Sequence, residues 1–165
     1  ITMAKATTNG IVPMGVVAVR EKIYQSVMDA SPEGAVELFH GYTYSGIPVA
    51  VSAAIAVQKI FEKEDIFNRV KKLSSYFEDG LHSLKDLSCI DSIRNYGLLG
   101  GIDISMRDKP GKAGFNVYKK CYDAGVNIKP TGDALIIAPP FICEKKDIDE
   151  LIEKMRKGIT NHLKS

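Results

Sequence analysis

From Pro48 the chain enters a run, Val49 to Phe61, in which Val, Ala, Ile and Phe fall on every side of a helix until Gln58 and Lys59 interrupt them. Proline fits the first turn of such a helix, because its missing N–H would find no intrahelical acceptor there. A helix without a solvated side must be covered, so this segment constrains the fold more than any other. It is either the centre of the chain's own core or a helix packed against further sequence or a partner subunit. The second reading is favoured, because the segments before it offer little to cover it with.

Those segments are short. Two strand-like runs, Ile1 to Ala4 and Met14 to Val19, flank the turn-forming Thr7-Thr8-Asn9-Gly10. Arg20 to Met28 has a helical pattern with Ile23, Tyr24 and Val27 on one side, and Phe39 to Gly46 is an aromatic, hydroxyl-rich loop. After Phe61 the pattern changes. Glu64 to Leu87 repeats apolar residues every three or four positions, as an amphipathic helix over a core does. Strands are expected at Cys89–Arg94, Leu98–Ile104, Val126–Lys129 and Ala134–Ala138, with helices at Phe115–Ala124 and Asp147–Leu163. That order describes a small α+β unit with helices on one face of a short sheet. A two-stranded sheet with a buried helix cannot cover its own apolar area, which places a boundary near Phe61 to Asp65 and gives expected domains 1–62 and 63–165.

Composition removes several classes. The 165 residues carry 22 basic and 20 acidic side chains, a net charge of +2 with no polybasic arm, so no nucleic-acid partner is expected. The longest nearly unbroken apolar stretch, Ile47 to Val57, is far short of the roughly 20 residues of a spanning helix, and the residues after Ile1 do not show a basic segment followed by an apolar signal core. Cys89, Cys121 and Cys143 form no Cys-x-x-Cys pair, and His40, His82 and His162 are scattered, so neither disulfides nor a metal are expected. The expectation is a soluble cytoplasmic protein. Ile1 is not an initiator methionine, and the chain reads as a piece of something longer.

Lys5 ends the first apolar run and precedes the Thr-Thr-Asn-Gly turn, which puts its amine at a strand end, where α/β folds gather ligands. An amine there becomes a nucleophile, able to condense with an aldehyde as a Schiff base, if its surroundings lower its pKa. Position alone is weak evidence, since an ordinary lysine is a solvated charge.

Three segments in order add to it. Met3-Ala4-Lys5-Ala6-Thr7-Thr8-Asn9-Gly10 with Val12-Pro13-Met14-Gly15, then His40-Gly41-Tyr42-Thr43-Tyr44-Ser45-Gly46-Ile47-Pro48-Val49-Ala50, then Gly125-Val126-Asn127-Ile128-Lys129-Pro130-Thr131-Gly132-Asp133 with Ala138-Pro139-Pro140 resemble the signatures of class III pyridoxal-phosphate aminotransferases. The match is strongest to the ω-amino acid:pyruvate branch and covers essentially the whole chain. The resemblance implies an α/β fold: the C-terminal part of a fold type I PLP-dependent transferase, comprising the end of the large-domain sheet (1–62, with the interface helix) and an α+β small domain (63–165).

By the same resemblance Lys5 matches the catalytic lysine that holds pyridoxal 5'-phosphate as a Schiff base and moves a proton at the substrate α-carbon. Thr43 matches the hydroxyl that binds the cofactor phosphate across a homodimer interface, a role suited to a neutral donor facing strong acceptors. Lys129 stands where the family has an arginine that clamps the substrate carboxylate, offering a point charge in place of a planar fork. Ile47 stands where the second signature has histidine. The implied reaction moves an amino group from an ω- or α-amino donor to a 2-oxo acid such as pyruvate. The family's phosphate loop, ring-stacking aromatic and pyridinium-pairing aspartate lie upstream of the lysine, in an N-terminal half missing here, so the chain alone is expected to be inactive. The rival expectation is a non-catalytic homo-oligomeric or partner-binding module that keeps the aminotransferase shape.

Overall fold

The structure, a computed structural model, describes residues 1–35, 41–105 and 109–164. His40, which opens the second signature, and Phe39 of the aromatic loop lie outside the described residues. The chain forms two compact units, Ile1–Glu64 and Asp65–Ser165.

In the first unit, strands β1 (Thr2–Ala4) and β2 (Gly15–Val17) pair antiparallel with Met3 opposite Val16. Helix α1 (Glu21–Ala30) follows and buries none of its residues, leaving Ile23, Tyr24 and Val27 exposed. Helix α2 (Pro48–Lys63) starts on its proline, as the sequence predicts, yet buries only Ala50 and Val57. Val49, Ile55 and Ile60 are exposed, so α2 is not the centre of a core within its unit.

The second unit holds the core. Helix α3 (Ile66–His82) runs into a 3₁₀ turn at Ser83–Asp86, and then β3 (Ile90–Tyr96) and β4 (Leu99–Ile104) form a hairpin. Helix α4 (Lys112–Asp123), a second hairpin of β5 (Lys129–Thr131) and β6 (Ala134–Ile137), and helix α5 (Lys145–Leu163) complete it. The four strands form one antiparallel sheet in the order β3-β4-β6-β5. Alternation along the strands divides the sheet into two faces. Ile102, Ile104, Leu135 and Ile137 point into a core with Phe77 and Leu81 of α3, Val117 and Cys121 of α4, and Ile148, Met155 and Ile159 of α5. At Gly100, where α3 crosses, a Cβ would lie 2.5 Å from Leu81 Cδ2 and force that buried side chain to shift. Burial pushes the Cys121 thiol up to about 12, so it packs as a small apolar group.

Three elements of the second unit differ most from the sequence expectation, each through a partner distant in the chain or through cap chemistry. The long amphipathic helix breaks at Ser83, whose carbonyl accepts from Arg156 Nη2 of α5 at 2.6 Å. Helix α4 begins at Lys112, earlier than Phe115, because Asp133 caps it from the β5–β6 turn: its Oδ2 accepts from the Gly111 N–H at 2.7 Å and its Oδ1 from the Gly114 N–H at 3.2 Å. Gly111 itself has no side chain with which to cap. Finally β5 begins at Lys129 instead of Val126. The Gly125 and Val126 N–H groups donate to the Tyr122 and Cys121 carbonyls at 2.9 and 3.0 Å, closing α4 as a Schellman cap and leaving Val126 off the ladder.

Candidate functional site

β1 ends at Ala4, and Lys5 turns out of it with φ 58°, in the left-handed region that costs a side-chain-bearing residue about 1–2 kcal/mol. The Lys5 carbonyl accepts from the Thr8 N–H at 3.2 Å and the Gly10 N–H at 3.0 Å. Asn9 and Gly10 continue at φ 52° and 73°. The Thr8 hydroxyl, fully buried, donates to the Val12 carbonyl at 2.6 Å. The Thr7 hydroxyl is buried without a hydrogen-bond partner among the described residues, an unusual state for a polar atom in a folded chain. The Lys5 side chain itself is exposed and takes part in no ion pair among the described residues. A strained, locally tied turn thus presents a free primary amine at a strand end.

Thr43 lies in the turn before α2, where the Ser45 N–H donates to the Tyr42 carbonyl at 2.9 Å and Gly46 has φ 68°. Its hydroxyl is exposed. Ile47 occupies the N-cap of α2 and supplies no side-chain acceptor. The N-cap residue of this 16-residue helix makes no side-chain hydrogen bond among the described residues, and the Thr43 hydroxyl precedes it in the chain, an arrangement suited to an anion.

Lys129 opens β5 on the sheet face away from the helices. Register puts Arg94, Gly101, Ile136 and Lys129 in one row across the four strands. Arg94 is committed: its Nη1 and Nη2 donate to Asp103 Oδ2 and Oδ1 at 2.5 and 3.1 Å, and a Cβ at Gly101 would meet Arg94 Nε at 3.4 Å. The Arg94 guanidinium and the Ser92 hydroxyl hold the Asp103 carboxyl below the ordinary carboxylate range. Lys129 has no such partner among the described residues and is the uncompensated cation of the row. The capping carboxylate of Asp133 ties the hairpin that carries it to α4.

Lys5 and Thr43 therefore share the first unit without bonding to one another, and Lys129 lies in the second. Sequence reasoning assigned no role to Thr8, Asp133 or the Arg94–Asp103 pair. Thr8 and Asp133 stand inside quoted signatures, but their partners depend on turn geometry and on a helix about twenty residues away in the chain.

The sequence profile described as aminotransferase class-III matches residues 1–159. The chain belongs to this family. Among the class-III aminotransferases it is 40% identical over 158 residues to an omega-aminotransferase of Caulobacter vibrioides, covering 95% of this chain and 36% of that protein. It is 39% identical over 157 residues to the omega-amino acid–pyruvate aminotransferase of Pseudomonas putida, covering 92% of this chain and 34% of that one. Its structure is similar to that of adenosylmethionine-8-amino-7-oxononanoate aminotransferase from Methanocaldococcus jannaschii, with TM-score 0.85 and 29% identity over 97% of this chain and 38% of that one. The chain thus spans about a third of the length of these class-III aminotransferases and has the α/β fold of part of a PLP-dependent transferase, as the resemblance implied.

Proposed function

We propose that this chain provides the lysine-bearing part of a class-III aminotransferase that moves an amino group from an ω- or α-amino donor to a 2-oxo acid such as pyruvate, with pyridoxal 5'-phosphate as cofactor. The observation that carries the reading is Lys5: a free amine at a strand end, on a turn strained to φ 58° and tied through its own carbonyl. The similarity to an omega-amino acid–pyruvate aminotransferase supports the substrate class.

The residues fit the cofactor's two polar ends. Lys5 offers a primary amine to an aldehyde, and Thr43, in the turn that leads into α2, offers a hydroxyl to a phosphate. When bound, the cofactor supplies an electron sink for charge developing at the substrate α-carbon. Lys5 then takes up and returns the proton at that carbon, for which a flexible amine at a fixed strand end is suited. Lys129 pairs with the substrate carboxylate as a point charge, with looser orientation than a guanidinium fork gives. Domains 1–62 and 63–165 correspond in this reading to the end of a large cofactor domain and a small domain. The exposed Val49, Ile55 and Ile60 of α2 favour burial in a homodimer.

The same apolar residues favour a second reading, a non-catalytic self-associating module. Size-exclusion chromatography separates the two: assembly that depends on pyridoxal phosphate supports the aminotransferase site, and assembly indifferent to it supports the module. The direct test reduces a mixture of chain and pyridoxal phosphate with borohydride and maps the adduct by peptide mass spectrometry. Dominant label at Lys5, lost in Lys5→Ala with no rise elsewhere, is the expected result. Label scattered over surface lysines contradicts the assignment.

A further inference from the structure

Thr8 is the described polar residue that the chain buries completely, and it does so in the unit that buries least else. Both of its ends are used. Its N–H donates to the Lys5 carbonyl at 3.2 Å, and its hydroxyl donates to the Val12 carbonyl at 2.6 Å, closing the loop between β1 and β2 around Lys5. A left-handed lysine backbone persists only where its surroundings over-determine it. Here the restraints come from the Thr8 and Gly10 N–H groups on the Lys5 carbonyl, and the Thr8 side chain fixes the position of the first of them. We infer that Thr8 is a positioning residue for Lys5: its buried hydroxyl, bonded to Val12, locks the left-handed turn that holds the amine at the strand end. This rests on the reading of Lys5 given above and adds to it a residue that touches neither cofactor nor substrate.

The chemistry predicts which substitutions matter. Valine has the shape of threonine without the O–H, so Thr8→Val leaves the Val12 carbonyl without its side-chain donor inside the loop. Serine keeps the donor and loses only a methyl group. If the hydrogen bond sets the turn, the two variants separate. If Thr8 merely fills space, valine is the milder change.

The experiment is borohydride trapping of pyridoxal phosphate on the wild-type chain, Thr8→Val and Thr8→Ser, read as label at Lys5 relative to Lys22 by peptide mass spectrometry. Amide exchange of the β1–β2 ladder is followed in parallel. The expected result is a fall of about tenfold in the Lys5:Lys22 ratio in the valine variant, the size expected when one part-buried hydrogen bond is lost. Recovery to within about twofold is expected in the serine variant, with ladder protection unchanged in both. Wild-type selectivity in Thr8→Val overturns the inference, as does a serine variant as poor as valine. Loss of ladder protection in Thr8→Val also overturns it, because the hydroxyl would then hold the hairpin and not the lysine. A wild-type chain without preference for Lys5 overturns the reading of Lys5 itself, and is recognised before any Thr8 variant is compared.

Discussion

Between Ile1 and Glu64 the described residues that are buried are Ala50, Val57 and Thr8, whereas from Asp65 onward a continuous core runs from Phe77 through Ile102 and Leu135 to Ile159. The contrast does not come from a less apolar first stretch, since α2 is the most apolar of the described helices. They differ in whether each apolar face meets another. The second unit folds its helices onto its own sheet, while the first leaves Ile23, Val49, Ile55 and Ile60 exposed. The lysine on which the proposed chemistry depends lies in the first. A self-sufficient core and a reactive strand end are thus placed in different parts of one chain, and stability measured on the chain reports mainly the part without the lysine.

Substitutions can break or sharpen that contrast. The largest effect belongs to Phe77→Ala, which empties a fully buried aromatic site between α3 and the sheet. It should lower unfolding stability by about 3–5 kcal/mol, read as a shifted urea midpoint with little change in slope. A loss below about 1 kcal/mol would show that the second unit lacks the packed core described. A smaller effect, confined to acid, is expected from Asp103→Asn. The folded carboxyl has a lowered pKa, so it releases its proton at lower pH than in the unfolded chain. Its stabilisation is present above the ordinary carboxylate value of about 4 and is lost as pH falls through the folded value. The wild-type midpoint should drop in that window more than the variant's. The Arg94 side chain is 61% exposed and that of Asp103 38%, and solvent screening keeps the difference small. The smallest effect is expected from Ile55→Ala, on an exposed position of α2, where the midpoint of the chain alone should move by less than about 0.5 kcal/mol. A large loss there would mean that α2 is already covered and would erase the contrast.

Much of this was legible in the sequence because the signals were local. The period of Ile66, Val70, Leu73, Phe77 and Leu81 marks α3, and proline before an apolar run marks α2. What escaped depends on partners far along the chain. Nothing near Lys112 announces that Asp133 will cap α4, and nothing near Ser83 announces Arg156. The site divides in the same way. Lys5, Thr43 and Lys129 stand out through the signatures around them, but the left-handed turn at Lys5, the Thr8–Val12 bond and the Arg94-to-Lys129 row exist only once backbone geometry and strand register are known. The all-round apolar character of α2 correctly shows a helix that needs covering. It carries no information on whether the cover lies within its own unit.

The most direct test of the two-unit account is amide hydrogen exchange of the intact chain, resolved by peptide mass spectrometry. The account predicts slow exchange, at the free energy of global unfolding, for Phe77–Leu81, Leu99–Ile104 and the middle of α5, and exchange at least about a hundredfold faster across α1 and α2. Equal protection of α2 and the sheet would contradict it, because the first unit would then possess the core that its exposed side chains deny.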